Sequence, residues 1–127
     1  MATGELRSRP LGHYRARARE FLLAEDAPGG GPAGCVAVRG EGPGAAVLHN
    51  FCVARAHQGR GIGSALLRAA VDRARRLPAA RVFTATTGPA VLFLTYGFVP
   101  VAPEEAPADW AAALDPSRGS RVYALTL

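Results

Sequence analysis

The sequence contains no lysine, so all 15 of its basic residues are arginines. A Walker-type phosphate loop requires a lysine followed by Ser or Thr after its last glycine, and the missing lysine excludes that site. Long apolar runs are also absent, because the longest ones, residues 45–48 and 89–94, fall far below the roughly 20 residues that span a bilayer. We therefore expect no membrane-spanning segment and no membrane partner.

Cysteine is scarce, and the two cysteines, Cys35 and Cys52, both lie in apolar stretches. Without a second pair at metal-ligand spacing, the sequence predicts no metal site. Buried, reduced thiols are favoured, and a disulfide is the alternative. The N-terminal residues include Glu5, Arg7 and Arg9 and no apolar run with a small-residue cleavage site, so we expect a cytoplasmic protein without a secretory signal.

A length of 127 residues, 49% of them hydrophobic, suits a single globular domain. We assign that domain to residues 1–127, with residues 1–20 as an arginine-rich arm or a short helix. The formal net charge of +5 is compatible with a polyanionic ligand, or with a solvated surface that attracts nucleic acid weakly. A nucleic-acid partner is the less favoured of the two.

The apolar pattern predicts an α/β domain of the α+β kind. Short apolar runs separated by turn residues predict three strands in meander order, and a four-residue spacing from Ile62 predicts an amphipathic helix that Pro78 ends. The predicted elements are strands at 21–24, 35–38 and 45–53, a helix at 62–77, a strand at 81–86, a helix at 89–96, a strand at 98–101, a helix at 104–114 and a strand at 121–127. This order indicates a mixed, mostly antiparallel sheet with flanking helices.

A glycine-rich segment stands between the third strand and the amphipathic helix. It consists of Gln58, Gly59, Arg60, Gly61, Ile62, Gly63 and Ser64. Glycines allow a ligand to approach the main chain, and the unpaired N–H groups of a first helical turn can hold a pyrophosphate. Arg60 would add a formal charge. Taken alone, the segment is equally consistent with a tight connection, and it fails the dinucleotide fingerprint because Ser64 occupies the third glycine position.

Gln58, Gly61 and Gly63 match the acetyl-CoA signature of the GNAT superfamily, which is Gln or Arg, two variable residues, Gly, one variable residue, then Gly or Ala. The chain resembles that superfamily. The resemblance implies a GNAT-like fold and an N-acetyltransferase that moves an acetyl group from acetyl-CoA to a primary amine of a small metabolite or amino acid. It also implies that the main chain at Phe51, Cys52 and Val53 pairs with the pantetheine arm.

Downstream residues are similar to one subset of the superfamily. Thr86 and Thr87, then Phe93, then the pair Gly97-Phe98 resemble the N-acetylglutamate synthase-like and arsenic-resistance-associated acetyltransferases. The resemblance implies that Thr86 and Phe93 adjoin the cofactor. A threonine hydroxyl there would bond either substrate or pantetheine, although β-branched residues are common in strands for other reasons.

The chain departs from the family pattern at its catalytic positions. Family members often have a tyrosine where this sequence has Phe93, and a glutamate near the position of Val47. A catalytically weak acetyl-CoA-binding module or subunit is therefore the alternative function. About 20 residues precede the strand at 21–24, fewer than the family usually has, which leaves room for a second chain and hence a homodimer to complete the substrate-side wall.

Two side chains remain as catalytic candidates. His49 lies on the strand that leads to the glycine-rich segment and could relay a proton through water, and a histidine at the sheet surface is the alternative. Tyr96 could offer a phenol, or it could be a core residue. Asn50 follows His49, so strand alternation predicts that only one of the two faces a cleft.

Overall fold

The computed structural model describes residues 21–25, 32–53, 61–87, 90–114 and 116–127. Its elements in chain order are β1 (Phe21–Glu25), β2 (Pro32–Gly40), β3 (Ala45–Val53), α1 (Ile62–Arg76), β4 (Arg81–Thr86), α2 (Val91–Tyr96), β5 (Val99–Val101), a 3-10 helix (Pro103–Glu105), α3 (Ala108–Ala112), a second 3-10 helix (Pro116–Arg118) and β6 (Arg121–Thr126). The predicted arm at 1–20 lies outside the described residues. None of the described helices combines the length and apolarity that a bilayer crossing needs.

The strands form one six-stranded sheet in the order β1-β2-β3-β4-β6-β5. Only the β3–β4 pair is parallel, and the other four pairs are antiparallel. The mixed, mostly antiparallel sheet predicted from the sequence is therefore confirmed. Strand β6 lies between β4 and β5, so the chain passes from β4 through α2 to the sheet edge and then returns to the interior.

Each face of the sheet is covered by a separate hydrophobic cluster. On one face, α1 buries Leu66, Leu67 and Val71 against strand residues such as Val36 and Leu48, because its apolar residues recur at helical spacing. On the other face, Trp110 of α3 packs with Val47, Phe83 and Val122. The sheet is thus the middle layer of a three-layer arrangement. A ligand site can form at an end of the strands, between the α1 layer and the Trp110 layer.

The helix predicted at 104–114 is wrong as a single element. The structure has a 3-10 helix at Pro103–Glu105, an extended stretch at Ala106 and Pro107, and then the five-residue helix α3. Pro107 explains the break, since proline has no N–H for a helical hydrogen bond and favours extended main chain in the residue before it. Ala106 has φ −85° and ψ 163°, as this effect requires.

Candidate functional site

The parallel strands β3 and β4 separate along their length. They pair only at three positions, Ala45 to Val47 with Arg81 to Phe83. Beyond this point β3 continues to Val53 beside β2, and β4 continues to Thr86 beside β6. The space between them is a cleft of about 590 Å³, within the roughly 300–1,000 Å³ of small-molecule sites.

The cleft is lined by both strands, by α2 and by the C-terminal part of the chain. Its described lining residues are Leu48, His49, Asn50 and Phe51 of β3, Thr84, Ala85, Thr86 and Thr87 at the end of β4, Leu92 and Phe93 of α2, and Trp110, Leu114, Arg118 and Ser120. The sequence-predicted residues His49, Phe51, Thr86 and Phe93 therefore lie around one cavity. Thr84 contributes a hydroxyl on a side chain that is only 3% exposed.

A β-bulge at Asn50 shapes the β3 wall. Ala37 of β2 pairs with His49 and Cys35 pairs with Cys52, so two residues of β3, Asn50 and Phe51, face a single residue of β2. Asn50 has φ +55° and is the one non-glycine residue of the described chain with a positive φ. A bulge leaves a residue out of the strand ladder, which makes main-chain groups available beside the cleft.

The bulge changes which side chains face the cleft. Strand alternation predicted that only one of His49 and Asn50 would do so, and this prediction is wrong because both line it. The extra residue shifts the alternation, so that Phe51 and Val53 pack against the same cluster as Leu48. The His49 ring is half-buried, and its Nε2 atom is buried in this wall.

The two cysteines are cross-strand neighbours at the bulge. Neither thiol is in a disulfide, and their Sγ atoms lie 3.4 Å apart. The Sγ of Cys35 donates a hydrogen bond of 3.4 Å to the main-chain carbonyl of Asn50. Cys35 is buried, as predicted, whereas Cys52 is only half-buried. The Cys35 thiol therefore contacts the bulge from the side of β2.

The positions where the family often carries an acid or a base, and the candidate Tyr96, differ in burial and in their distance from the cleft. Phe93 is buried, and its ring stacks edge-on with both Phe51 and Phe98 at centroid distances of 5.5 Å. Val47 is fully buried beneath Trp110 and has no contact with solvent. Tyr96 is half-buried against the core, with its ring 6.4 Å from Phe98, and it is not among the described residues that line the cleft.

The N-terminus of α1 adjoins the cleft. Gly61 caps the helix with φ +79°, a conformation that favours glycine, and apart from its chain neighbours no described residue has an atom within 4 Å of where its Cβ would be. A Cβ at Gly63 would lie 3.3 Å from Leu92, which lines the cleft, and 3.6 Å from Val53. Ser64 is exposed and Ile62 is half-buried. Gln58, Gly59 and Arg60 lie outside the described residues.

The charges of α1 suit an anion at this end. Its first turn holds no acidic residue, and its last turn holds Arg73, Arg75 and Arg76. A helix N-terminus carries partial positive charge and unpaired N–H groups, so it attracts an anion that no carboxylate of the first turn opposes. The described part of the predicted loop thus has the electrostatics of a pyrophosphate site.

Sequence reasoning missed the C-terminal contribution to the cleft. Trp110, Leu114, Arg118 and Ser120 reach it because β6 returns beside β4 and carries the preceding segment over the end of the sheet. Gly119, with φ +66°, makes the turn between Arg118 and β6. The glycine after a Pro-Ser-Arg segment indicated a turn there, but no local pattern indicated what the turn would face.

A second groove lies at the opposite ends of β3 and β4. It has a volume of about 570 Å³ and is lined by residues such as Glu41, Ala45 and Arg81. Arg81 pairs with Glu105 at 3.1 Å and lies 4.8 Å from the centroid of the Phe83 ring. The Arg81–Glu105 pair thus links β4 to the first 3-10 helix. Among the described residues, none of those predicted from the sequence as the site lines this groove.

Solved structures of other proteins share the fold of this chain. The N-acetylglutamate synthase of Neisseria gonorrhoeae, complexed with coenzyme A and N-acetyl-glutamate, matches with a TM-score of 0.82 at 23% identity. The match covers 96% of this chain and 29% of the synthase, so the chain spans under a third of that protein. Rv2747 from Mycobacterium tuberculosis, in complex with CoA and NLQ, matches with a TM-score of 0.76 at 23% identity, covering 99% of this chain and 87% of that one.

The family follows from the sequence itself. The Acetyltransferase (GNAT) domain matches residues 17–100, more than half of the chain. The chain therefore belongs to the GNAT acetyltransferase family, as its resemblance predicted, and acyl transfer is the general chemistry of that family. The matched range includes β3 and β4, which line the cleft, and helix α1, whose N-terminus adjoins it. A search of curated proteins found no match to this sequence.

Proposed function

We propose that this protein is an N-acetyltransferase that moves an acetyl group from acetyl-CoA to the primary amine of a small metabolite or amino acid. The observation that carries the proposal is the cleft between β3 and β4, bordered by the Asn50 bulge and by the N-terminus of α1. The pantetheine arm would lie along residues 51–53, and the pyrophosphate would lie at the residues from Gln58 to Ser64. Coenzyme A in the two solved relatives supports this assignment.

The reaction proposed for the cleft is direct attack by the neutral amine on the thioester carbonyl. A C–N bond forms, the C–S bond breaks, the amine loses one proton and the departing thiolate gains one. Main-chain N–H groups freed near the bulge would stabilise the oxyanion that develops on the carbonyl. Holding amine and thioester in contact supplies much of the acceleration, because it removes the entropy cost of bringing them together.

The alternative is a catalytically weak module that binds acetyl-CoA. The buried apolar side chains of Val47 and Phe93 favour it, since neither can transfer a proton. Both functions share the cofactor end of the cleft. They differ only in turnover, so a binding measurement cannot separate them and a rate measurement can.

Two successive measurements, first of binding and then of turnover, test the proposal. Acetyl-CoA at millimolar concentration should raise the melting temperature, because a ligand that binds only the native state stabilises it by mass action. Release of free CoA thiol should then depend on an added amine from a panel of amino acids and simple amines. A melting shift without amine-dependent thiol release would favour the binding module. Absence of any shift would reject the cofactor site itself.

Assembly and location stay predictions. A homodimer that completes the acceptor side of the cleft would be seen by light scattering of the purified chain, and cytoplasmic location by fractionation of cells. Assignment of residues 1–127 to one domain would be checked by a single cooperative unfolding transition.

A further inference from the structure

Arg118 is the one arginine among the described residues that line the cleft, and none of those residues is Asp or Glu. Its side chain is exposed at the end of the second 3-10 helix. Ion pairs hold other described arginines, such as Arg81 with Glu105 at 3.1 Å, but no ion pair of the described chain uses Arg118. Its guanidinium is therefore available to a ligand in the cleft.

The neighbours of Arg118 in the cleft wall are polar on one side and apolar on the other. Ser120 and the threonines at the end of β4, Thr86 and Thr87, present hydroxyl groups, and Trp110 and Leu114 form an apolar surface. This wall belongs to the C-terminal segment and the end of β4. The N-terminus of α1, where the cofactor phosphates are proposed to bind, adjoins the cleft through Leu92 on the side of α2. Arg118 thus stands on the acceptor side.

We propose that Arg118 binds a carboxylate of the acetyl acceptor, which makes the acceptor an amino acid or another small amine that carries a carboxylate. This inference rests on the proposed acetyltransferase function and names the substrate class of that site. A guanidinium presents parallel N–H donors that match the two oxygens of a carboxylate. An ammonium group finds no carboxylate in the described lining, so the anionic end of the acceptor determines its binding.

The kinetic test compares each amino acid with its carboxamide, with rates expressed per concentration of neutral amine. The native protein should prefer the acid. In Arg118→Gln the KM for the acid should rise about tenfold, at the low end for a lost hydrogen bond to a charged group, while kcat changes little. KM for the amide should stay the same. Arg118→Lys should be intermediate, because it keeps the charge and loses the fork.

Arg76→Gln is the matched control. Arg76 is also exposed and lies in the last turn of α1, before the start of β4, whereas the cleft lies at the end of β4. Arg76→Gln removes the same charge without changing the cleft, so its KM values for the acid and the amide should match those of the native protein. An equal preference for acid and amide in the native protein would overturn the proposal, and so would an Arg118→Gln variant that keeps the native KM for the acid.

A binding readout separates this inference from the proposed function. Melting curves of the CoA complex are recorded with N-acetyl amino acids and with their carboxamides. The acid should raise the melting temperature more than the amide in the native protein, and this difference should vanish in Arg118→Gln. If no amine is acetylated, the proposed enzyme fails, yet an acid-specific shift still supports carboxylate binding at Arg118. Equal shifts by acid and amide would reject it whatever the activity.

Discussion

Single residues of the cleft supply few groups that can move a proton. His49 and the threonine hydroxyls line it, but the positions where family members often carry an acid or a base are the buried apolar side chains of Val47 and Phe93. Catalysis at this site would therefore require that the amine substrate binds in its neutral form. Two substitutions at the residue scale test this dependence.

The first concerns His49. We expect kcat/KM to rise with pH and to level off near the pKa of the free amine, and this plateau should move when amines of different pKa are compared. His49→Ala should lower the rate by less than about tenfold, below the roughly 10²-fold minimum for a lost general base. His49→Gln serves as the polar control. A plateau near the ordinary histidine value of about 6.5 for every amine, lost in His49→Ala, would instead establish an enzyme base.

The second concerns Phe93. Phe93→Tyr places a phenol in the cleft where the family resemblance has a tyrosine, and a phenol can protonate the departing thiolate. We expect kcat to rise by up to about tenfold, less than the 10²–10⁴-fold typical of evolved general acids. Phe98→Tyr is the matched control, because Phe98 belongs to the same ring cluster and does not line the cleft. An unchanged kcat in a folded Phe93→Tyr variant would show that protonation of the thiolate does not limit the rate.

At the scale of elements, helix α1 has a structural role and, under the proposed function, a ligand-binding role. Its inner face buries Leu67, Ala70 and Val71, while its N-terminus adjoins the cleft through Gly63. The two roles use different parts of the helix. A negative charge at the exposed start of the helix should therefore preserve or raise the stability of the fold and weaken the binding of an anionic ligand. Ser64 is exposed in the first turn and offers this separation.

We expect Ser64→Glu to leave the free protein as stable as the native one or to stabilise it by about 0.3–1 kcal/mol, because a negative charge suits a helix N-terminus. The same charge should weaken acetyl-CoA binding about tenfold by repelling the pyrophosphate, most strongly at low salt. Ser64→Gln has the same size without the charge and should bind normally. Calorimetric titration and denaturant unfolding measure the two effects, and equal affinities for both variants would place the phosphates elsewhere.

At the scale of the whole molecule, the sheet consists of two halves, β1-β2-β3 and β4-β6-β5, that meet in a short parallel pairing. The end of the cleft proposed for the cofactor adjoins β3 and α1, and the other wall is formed by β4 and the segment around Trp110. A substitution that disrupts the half formed by β4, β6 and β5 should therefore weaken binding of the acceptor more than binding of acetyl-CoA.

Trp110→Ala tests this division. Trp110 is buried against Phe83, with ring centroids 6.4 Å apart, so its truncation should lower the free energy of unfolding by about 3–5 kcal/mol. KM for the amine should rise while the Kd of acetyl-CoA stays near the native value. Trp110→Phe gives the same pattern at a smaller cost if the alanine variant does not fold. Equal losses of acceptor and acetyl-CoA binding would contradict the division.

Local sequence determined the elements that form apolar runs or carry a helical period. Strands Ala45–Val53 and Arg81–Thr86 were predicted at their observed bounds, because a short apolar run bounded by turn residues is typical of a strand that is buried on both faces. The helix from Ile62 was predicted within one residue at its end, because four-residue spacing expresses a single buried face. The match of Gln58, Gly61 and Gly63 to the family signature likewise needed no structure, since a helix N-terminus and its glycines are adjacent in the chain. These features are local, and the family followed from them.

Pairing between distant segments decided the rest. The bulge at Asn50 depends on the register of β3 against Cys35 and Ala37, so alternation within β3 alone wrongly predicted that only one of His49 and Asn50 lines the cleft. Arg118 reaches the cleft only because β6 inserts beside β4, more than 30 residues earlier in the chain. Strand register and strand order are set by the burial of whole faces of the sheet, which no short window of sequence contains. The sequence by itself therefore determined the family and predicted a cofactor-binding loop, and the tertiary structure decided which of the described side chains line the cleft.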